Sequence, residues 1–205
     1  MRRLFIFRAA SILGLGLFLL AEPAAAVIES PLPLKRILKD TQFIFTAKVE
    51  SFDKEKGLAV FTVQDNLKGK VPFKQMSLPL PPDKEGLREN NRPSFLVKRL
   101  AADLPVVWFA DFGRSPAFDK VREEGMTLFL YTNGTWAQLA GNAKPGGEDT
   151  KIVIRFHHYE PFLRRTFKGT TAEMRQVIID GLAGTKEPPP YDPKEPAGLG
   201  PEVKP

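Results

Sequence analysis

Residues 42–80 hold three runs rich in β-branched and aromatic side chains, punctuated by turn residues. Such a stretch reads as a three-stranded antiparallel meander. The first run is Gln42-Phe43-Ile44-Phe45-Thr46-Ala47-Lys48-Val49-Glu50-Ser51-Phe52, the second is Leu58-Ala59-Val60-Phe61-Thr62-Val63, and the third spans 73–80. A charged turn ending in Gly57 joins the first two, and Leu67-Lys68-Gly69 leads into the third. In the first run Phe43, Phe45, Ala47 and Val49 share one side, while Ile44, Thr46, Lys48 and Glu50 share the other. That alternation predicts a half-buried strand. In the second run Leu58 and Val60 oppose Ala59, Phe61 and Val63, so cover on both faces is expected, as in a small barrel or a sheet backed by a helix.

A sheet protein must find its stability somewhere, and here the N-terminus bears on where. Arg2, Arg3 and Arg8 precede the apolar run 12–20, which leads into Ala24-Ala25-Ala26. Basic start, short apolar core and A-x-A site have the order of a secretory signal peptide, with cleavage expected after Ala26. The apolar run is about half of the ~20 residues that a spanning helix needs, so no permanent membrane span is expected once the signal is removed. Export would permit disulfides, yet the chain contains no cysteine, and stability must come from an apolar core. Roughly 180 residues would remain after cleavage, enough for one domain. The formal charge falls from +6 to about +4. That mild excess on an exported chain gives no reason to expect a nucleic-acid partner.

Along the rest of the chain, Leu34, Ile37 and Leu38 are spaced for a short helix over 34–40. The segment 81–93 is a loop by composition. Ser94 is placed to cap a helix over 95–103 with Leu96, Val97, Leu100, Ala101 and Leu104 as its apolar stripe, ended by Pro105. Val106-Val107-Trp108-Phe109-Ala110 predicts a buried fourth strand, and 111–125 is polar and turn-rich. Runs 127–132 and 135–139 flank Asn133-Gly134, whose positive-φ preference predicts a type I′ hairpin. Asn133-Gly134-Thr135 also matches the glycosylation sequon, although a tight hairpin is a poor acceptor. A seventh strand is expected over 151–156 after a glycine-rich loop. The last helix starts at Thr170 or Thr171, with Glu173 as capping-box partner of Thr170, and should bury Met174, Val177, Ile178 and Leu182, with Gly181 and Gly184 marking its end. From 185 to 205 about one residue in three is proline, so a disordered or extended tail is expected.

An F-T-A-K-V run, a hairpin, an F-x-V strand and the Leu67-Lys68-Gly69 step together resemble the opening of netrin-like and tissue-inhibitor-of-metalloproteinase-like domains. That resemblance implies an OB-fold barrel, and a helix after the third strand fits the element that plugs one end of such a barrel. Family members that inhibit metalloproteinases chelate the protease zinc through an N-terminal cysteine. A chain starting at Val27-Ile28-Glu29 without cysteine departs from that pattern, so the resemblance implies the barrel and not the inhibition. Tyr131-Thr132-Asn133-Gly134-Thr135-Trp136 and Leu163-Arg164-Arg165-Thr166-Phe167-Lys168-Gly169-Thr170-Thr171 are similar to segments of exported bacterial proteins of the planctomycete type. That similarity implies a lineage and no activity. The expectation is a mainly β fold with two or three helices: an OB-like antiparallel barrel over 27–184 with a C-terminal helix, following a signal at 1–26 and preceding a disordered tail at 185–205.

Recognised catalytic motifs are few. There is no H-E-x-x-H, no G-x-S-x-G and no phosphate-binding glycine loop. His157 and His158 are adjacent, and neighbours on a regular strand face opposite ways, which is the wrong geometry for a metal pair. No catalytic residue, metal or cofactor is assigned. An enzyme built from this inventory would need Asp111, Asp119, Glu123 or Glu124 together with one histidine. The most suggestive concentration is 155–168, where Arg155, His157, His158, Tyr159, Arg164, Arg165 and Lys168 interleave cations with aromatic rings. Such a pattern can bind anionic polymers, and with export it points to an envelope protein or anionic polymer as partner. The expected function is a non-enzymatic binding module of the bacterial cell envelope; the alternative is a hydrolase using loop carboxylates and a histidine.

Overall fold

The computed structural model describes residues 31–80, 93–112, 126–141 and 151–199. The expected signal peptide, the loops at 81–92, 113–125 and 142–150, and residues 200–205 lie outside them. Among the described residues seven strands follow one another: β1 (Phe43–Asp53), β2 (Leu58–Lys68), β3 (Gln75–Pro79), β4 (Pro105–Phe112), β5 (Met126–Thr132), β6 (Thr135–Gly141) and β7 (Lys151–Tyr159). They close into a barrel in the order β1-β2-β3-β7-β6-β5-β4, with β4 returning to β1. Every ladder is antiparallel except β3 with β7. Three helices accompany them: α1 (Leu34–Asp40), α2 (Ser94–Arg99) and α3 (Thr171–Ala183). The fold is therefore mainly β, a closed barrel consistent with the OB-like type carrying a C-terminal helix. Three register shifts in the β1–β2 ladder supply local bending and twist of the kind that barrel closure demands.

Strand alternation sorts the apolar side chains into two cores. Phe45, Ala47 and Val49 of β1, Val106, Trp108 and Ala110 of β4, and Leu128 and Leu130 of β5 point into the barrel. The intervening Ile44, Val107, Phe109, Phe129 and Tyr131 point outward, where Leu34, Ile37 and Leu38 of α1 and Met174 and Ile178 of α3 cover them. The half-buried prediction for β1 is thus corrected, because Ile44 and Thr46 on its supposedly open side are buried as well. The correction for β2 runs the other way. Ala59 and Phe61 are buried, whereas Leu58, Val60 and Thr62 are only partly covered. The first and last helices cover the outer faces of β1, β4, β5 and β6, and that is where double-sided burial occurs.

Helix α2 plugs the barrel with Leu96 and Leu100, and Leu104 follows them into the inner core. It is shorter than its apolar stripe suggests. After Leu100 the chain turns to pair with β1, Asp103 N–H donating to Val49 O at 2.8 Å and Val49 N–H to Leu104 O at 3.0 Å. Ser94 is the first helical residue and not its cap; Pro93 holds that position without a side-chain hydrogen bond. One orphan donor of the first turn is satisfied from across the barrel instead, since Leu96 N–H donates to the Tyr159 hydroxyl at 2.6 Å.

Tyr159 reaches that position because of a bulge. In the β6–β7 ladder Leu139 faces Phe156 and Gln138 faces His158, which leaves His157 as the extra residue. Ile152 and Ile154 face inward, and the extra residue flips the alternation so that Tyr159 enters the barrel. Replacing Tyr159 by Phe leaves the buried Leu96 N–H without its acceptor. A loss of about 1–3 kcal/mol in denaturant unfolding is expected, and an unchanged midpoint would contradict this account.

Helix α3 has the predicted capping box: Glu173 N–H donates to Thr170 Oγ1 at 3.1 Å, and Thr170 N–H donates to Glu173 Oε2 at 2.7 Å. Gly184 ends it in the left-handed conformation. Leu182 is 38% exposed, so the expected burial of that residue is corrected; Met174 and Ile178 carry the contact.

Candidate functional site

The β5–β6 turn is the platform of the site. Asn133 and Gly134 have φ values of 42° and 80°, as a type I′ turn requires. Asn133 N–H donates to Thr171 Oγ1 at 3.0 Å, while Asn133 Oδ1 accepts from Thr171 N–H at 3.0 Å and from its hydroxyl at 3.1 Å. The turn is therefore tied to the first residue of α3. Tyr131 adds a second tie, its hydroxyl accepting from Gly134 N–H at 3.0 Å and donating to Gly169 O. Burial holds that phenol protonated by raising its pKa well above the ordinary value. Trp136 supplies a third, with Nε1–H donating to Phe167 O at 2.9 Å. A 3-10 turn at Pro161–Arg165 follows β7. Its continuation through Gly169 is thus pinned along the hairpin.

Three of the predicted cations emerge from this frame. The Arg164 guanidinium lies over the turn, its Nη1 3.4 Å from Gly134 O. A Cβ on residue 134 would stand 3.1 Å from Nη1 and 3.2 Å from Lys168 O, so glycine serves both the positive φ and the close approach. Arg164 Nη2 donates to Glu195 Oε1 at 2.8 Å, and Lys168 Nζ donates to Glu195 Oε2. Arg165 Nε donates to the main-chain carbonyl of the same Glu195 at 2.9 Å, and its own guanidinium lies 5.3 Å from the Phe162 ring centre. The Arg164 and Glu195 side chains are 11% and 12% exposed, so this pair is shielded from water in a way that surface ion pairs are not.

Glu195 belongs to the segment 185–199, part of the tail expected to be disordered. It turns at 193–195, with Glu195 N–H donating to Asp192 O at 3.2 Å, and it carries hydrogen bonds that disorder would not supply. Asp192 N–H donates to Arg165 O at 2.8 Å, Gly198 N–H to Pro161 O at 3.3 Å, and Leu199 O accepts from Arg99 at 3.1 Å. The Leu199 side chain packs against the inner core. Lys168 first, then Arg164, hold the Glu195 carboxyl below its ordinary pKa of 4.5. A group depressed in the folded state contributes its stabilisation above the unfolded value and loses it as pH falls through the folded one. The Gly198 amide resonance is accordingly expected to stay at its docked position from neutral pH down to about 4.5 and to move to an undocked one in stronger acid.

The remaining predicted residues lie elsewhere. Arg155 is exposed on β7 opposite Ala140. Tyr159 is corrected from ligand contact to core, being buried against Phe156 and Phe95. His157 and His158 do not face opposite ways, because the bulge brings their ring centres to 4.6 Å with the two Nδ1 atoms in contact, and His158 Nε2 contacts Glu160 Oε1. Among the described residues no group of three His, Asp or Glu side chains is placed to hold a metal ion. Asp111 is a buried strand residue whose Oδ1 accepts from Gln42 N–H at 2.7 Å. Asp119, Glu123 and Glu124 lie outside the described residues. Sequence reasoning missed Glu195, whose only local signal is an acid set between Pro193 and Pro196.

Comparison with protein-family models, with curated proteins and with solved structures finds no match to this chain.

Proposed function

We propose that this chain is a non-enzymatic, exported binding module of the bacterial cell envelope. On this reading it recognises carboxylate-bearing partners, an acidic protein segment or an anionic polymer, through the face formed by Arg164, Arg165 and Lys168. One observation carries the reading: two cations from a hydrogen-bonded frame converge on the two oxygens of a single shielded carboxylate. Charge-assisted bonds of this kind are strong and directional, and an arginine beside a lysine suits a carboxylate. Export rests on the basic start, apolar run and Ala24-Ala25-Ala26 of the N-terminus.

Poly-L-glutamate is a suitable probe. Its binding to the protein should weaken steeply when ionic strength rises from about 0.01 M to about 1 M, as the Debye length shrinks from ~30 Å to ~3 Å. The double change Arg164→Ala/Arg165→Ala should weaken it as well. Salt-independent binding, or binding unaffected by the double change, contradicts the reading. A second reading, a hydrolase, draws on the hydrogen-bonded series His157, His158 and Glu160. Hydrolytic turnover lost in His158→Gln, with polyglutamate binding intact, would favour it.

A further inference from the structure

We infer that the groove between the 3-10 turn and the β5–β6 hairpin is a peptide site for a proline-flanked glutamate, and that segment 191–199 occupies it as an internal competitor. The inference rests on the carboxylate-binding reading above and adds a ligand class and a means of control.

The contacts around Glu195 are those of peptide recognition and not of a lone surface ion pair. Its carboxylate is read by Arg164 and Lys168, and its main-chain carbonyl by Arg165. On either side the groove takes main-chain groups, Asp192 N–H on Arg165 O and Gly198 N–H on Pro161 O. Leu199 anchors the far end, its side chain on the inner core and its carbonyl accepting from Arg99. Main-chain bonds give affinity to any segment that adopts the same turn, whereas the paired cations and the apolar anchor select a glutamate followed four residues later by leucine. The bound segment is also preorganised. Asp192 Oδ1 accepts from Lys194 N–H at 3.0 Å and Asp192 O from Glu195 N–H at 3.2 Å, with Pro193 and Pro196 stiffening the flanks. Restricting the free peptide in this way lowers the entropy lost on docking.

The connection from α3 permits release. Residues 185–190 are exposed except for the partly covered Pro188, and the Lys35–Glu187 pair along them is about three-quarters exposed on both sides. Leaving the groove therefore does not require α3 to unfold. While attached, the segment competes at an effective concentration on the order of millimolar. A free peptide of the same sequence at micromolar concentration cannot displace it. A partner succeeds only when multivalent or when the segment is weakened.

The test uses the full chain and a fluorescent peptide with the sequence of residues 191–199, followed by anisotropy. Binding should be at least about tenfold tighter to Glu195→Gln than to the unmodified protein, because the attached segment loses its charge-assisted bonds. Leu199→Ser, which loosens the apolar anchor without touching charge, should give a gain in the same direction. Adding Arg164→Ala to Glu195→Gln should abolish the gain, and a peptide with Gln at the glutamate position should bind neither chain. Equal affinity for the unmodified and Glu195→Gln proteins overturns the competitor while leaving the carboxylate site standing. No peptide binding to any chain, with poly-L-glutamate still bound through Arg164 and Arg165, overturns the peptide site alone. If polyglutamate binding is absent too, the underlying reading fails with it.

Discussion

Trp136→Ala is expected to cost about 3–5 kcal/mol in denaturant unfolding, near the top of the range for a single core truncation. The indole is 1% exposed, lies 5.4 Å from the Phe109 ring centre and meets Tyr131 edge-on at 4.8 Å. Removing it opens a cavity in the outer core beneath α1 and α3, and it leaves Phe167 O without the donor that fixes the approach to Lys168. Polyglutamate binding should fall together with stability. Trp136→Phe keeps part of the ring contact and loses the hydrogen bond, for an expected cost of about 1–3 kcal/mol from that bond beyond the packing loss.

A loss of about 3–5 kcal/mol is also expected for Trp108→Ala, from the other core. Trp108 stands inside the barrel, stacked on Phe45 at 6.3 Å and edge-on to Phe61 at 5.2 Å. Its Nε1–H, unlike that of Trp136, has no hydrogen-bond partner among the described residues. A buried donor left unmatched is a cost in the native state, and phenylalanine removes it. Trp108→Phe should therefore destabilise less than Trp136→Phe, although both delete the same atoms. The opposite order in paired denaturant titrations would show that the hydrogen bond to Phe167 O contributes little.

The parts of the fold visible in the sequence are those encoded by near neighbours. Short apolar, β-branched and aromatic runs marked each of the seven strands, Asn133-Gly134 marked the hairpin, and Thr170 with Glu173 marked the start of α3, because each signal operates over a few residues. β2 runs on to Lys68 through the polar Gln64, Asp65 and Asn66, exposed positions that carry no apolar period. The double burial of β1 was hidden because its cover comes from α1 and α3, and only distant packing determines which face of a strand is covered. The bulge at His157 has no local composition of its own, yet it moves Tyr159 from surface to core. The same limit applies to the candidate site. Arg164, Arg165 and Lys168 were visible as a cationic cluster, whereas the Glu195 they hold lies some thirty residues away in a segment whose proline content reads as disorder. Proline lowers the entropy lost on docking as readily as it prevents a helix, and composition alone does not separate the two.

If the proposed reading holds, one site serves both the chain's own Glu195 and an external carboxylate. Amide hydrogen exchange at Asp192 and Gly198, measured by NMR while poly-L-glutamate is titrated into the unmodified protein, tests it directly. Both amides are expected to lose protection in step with polymer binding, as Arg165 O and Pro161 O lose their donors. Polymer binding that leaves the protection of both amides unchanged would contradict the reading.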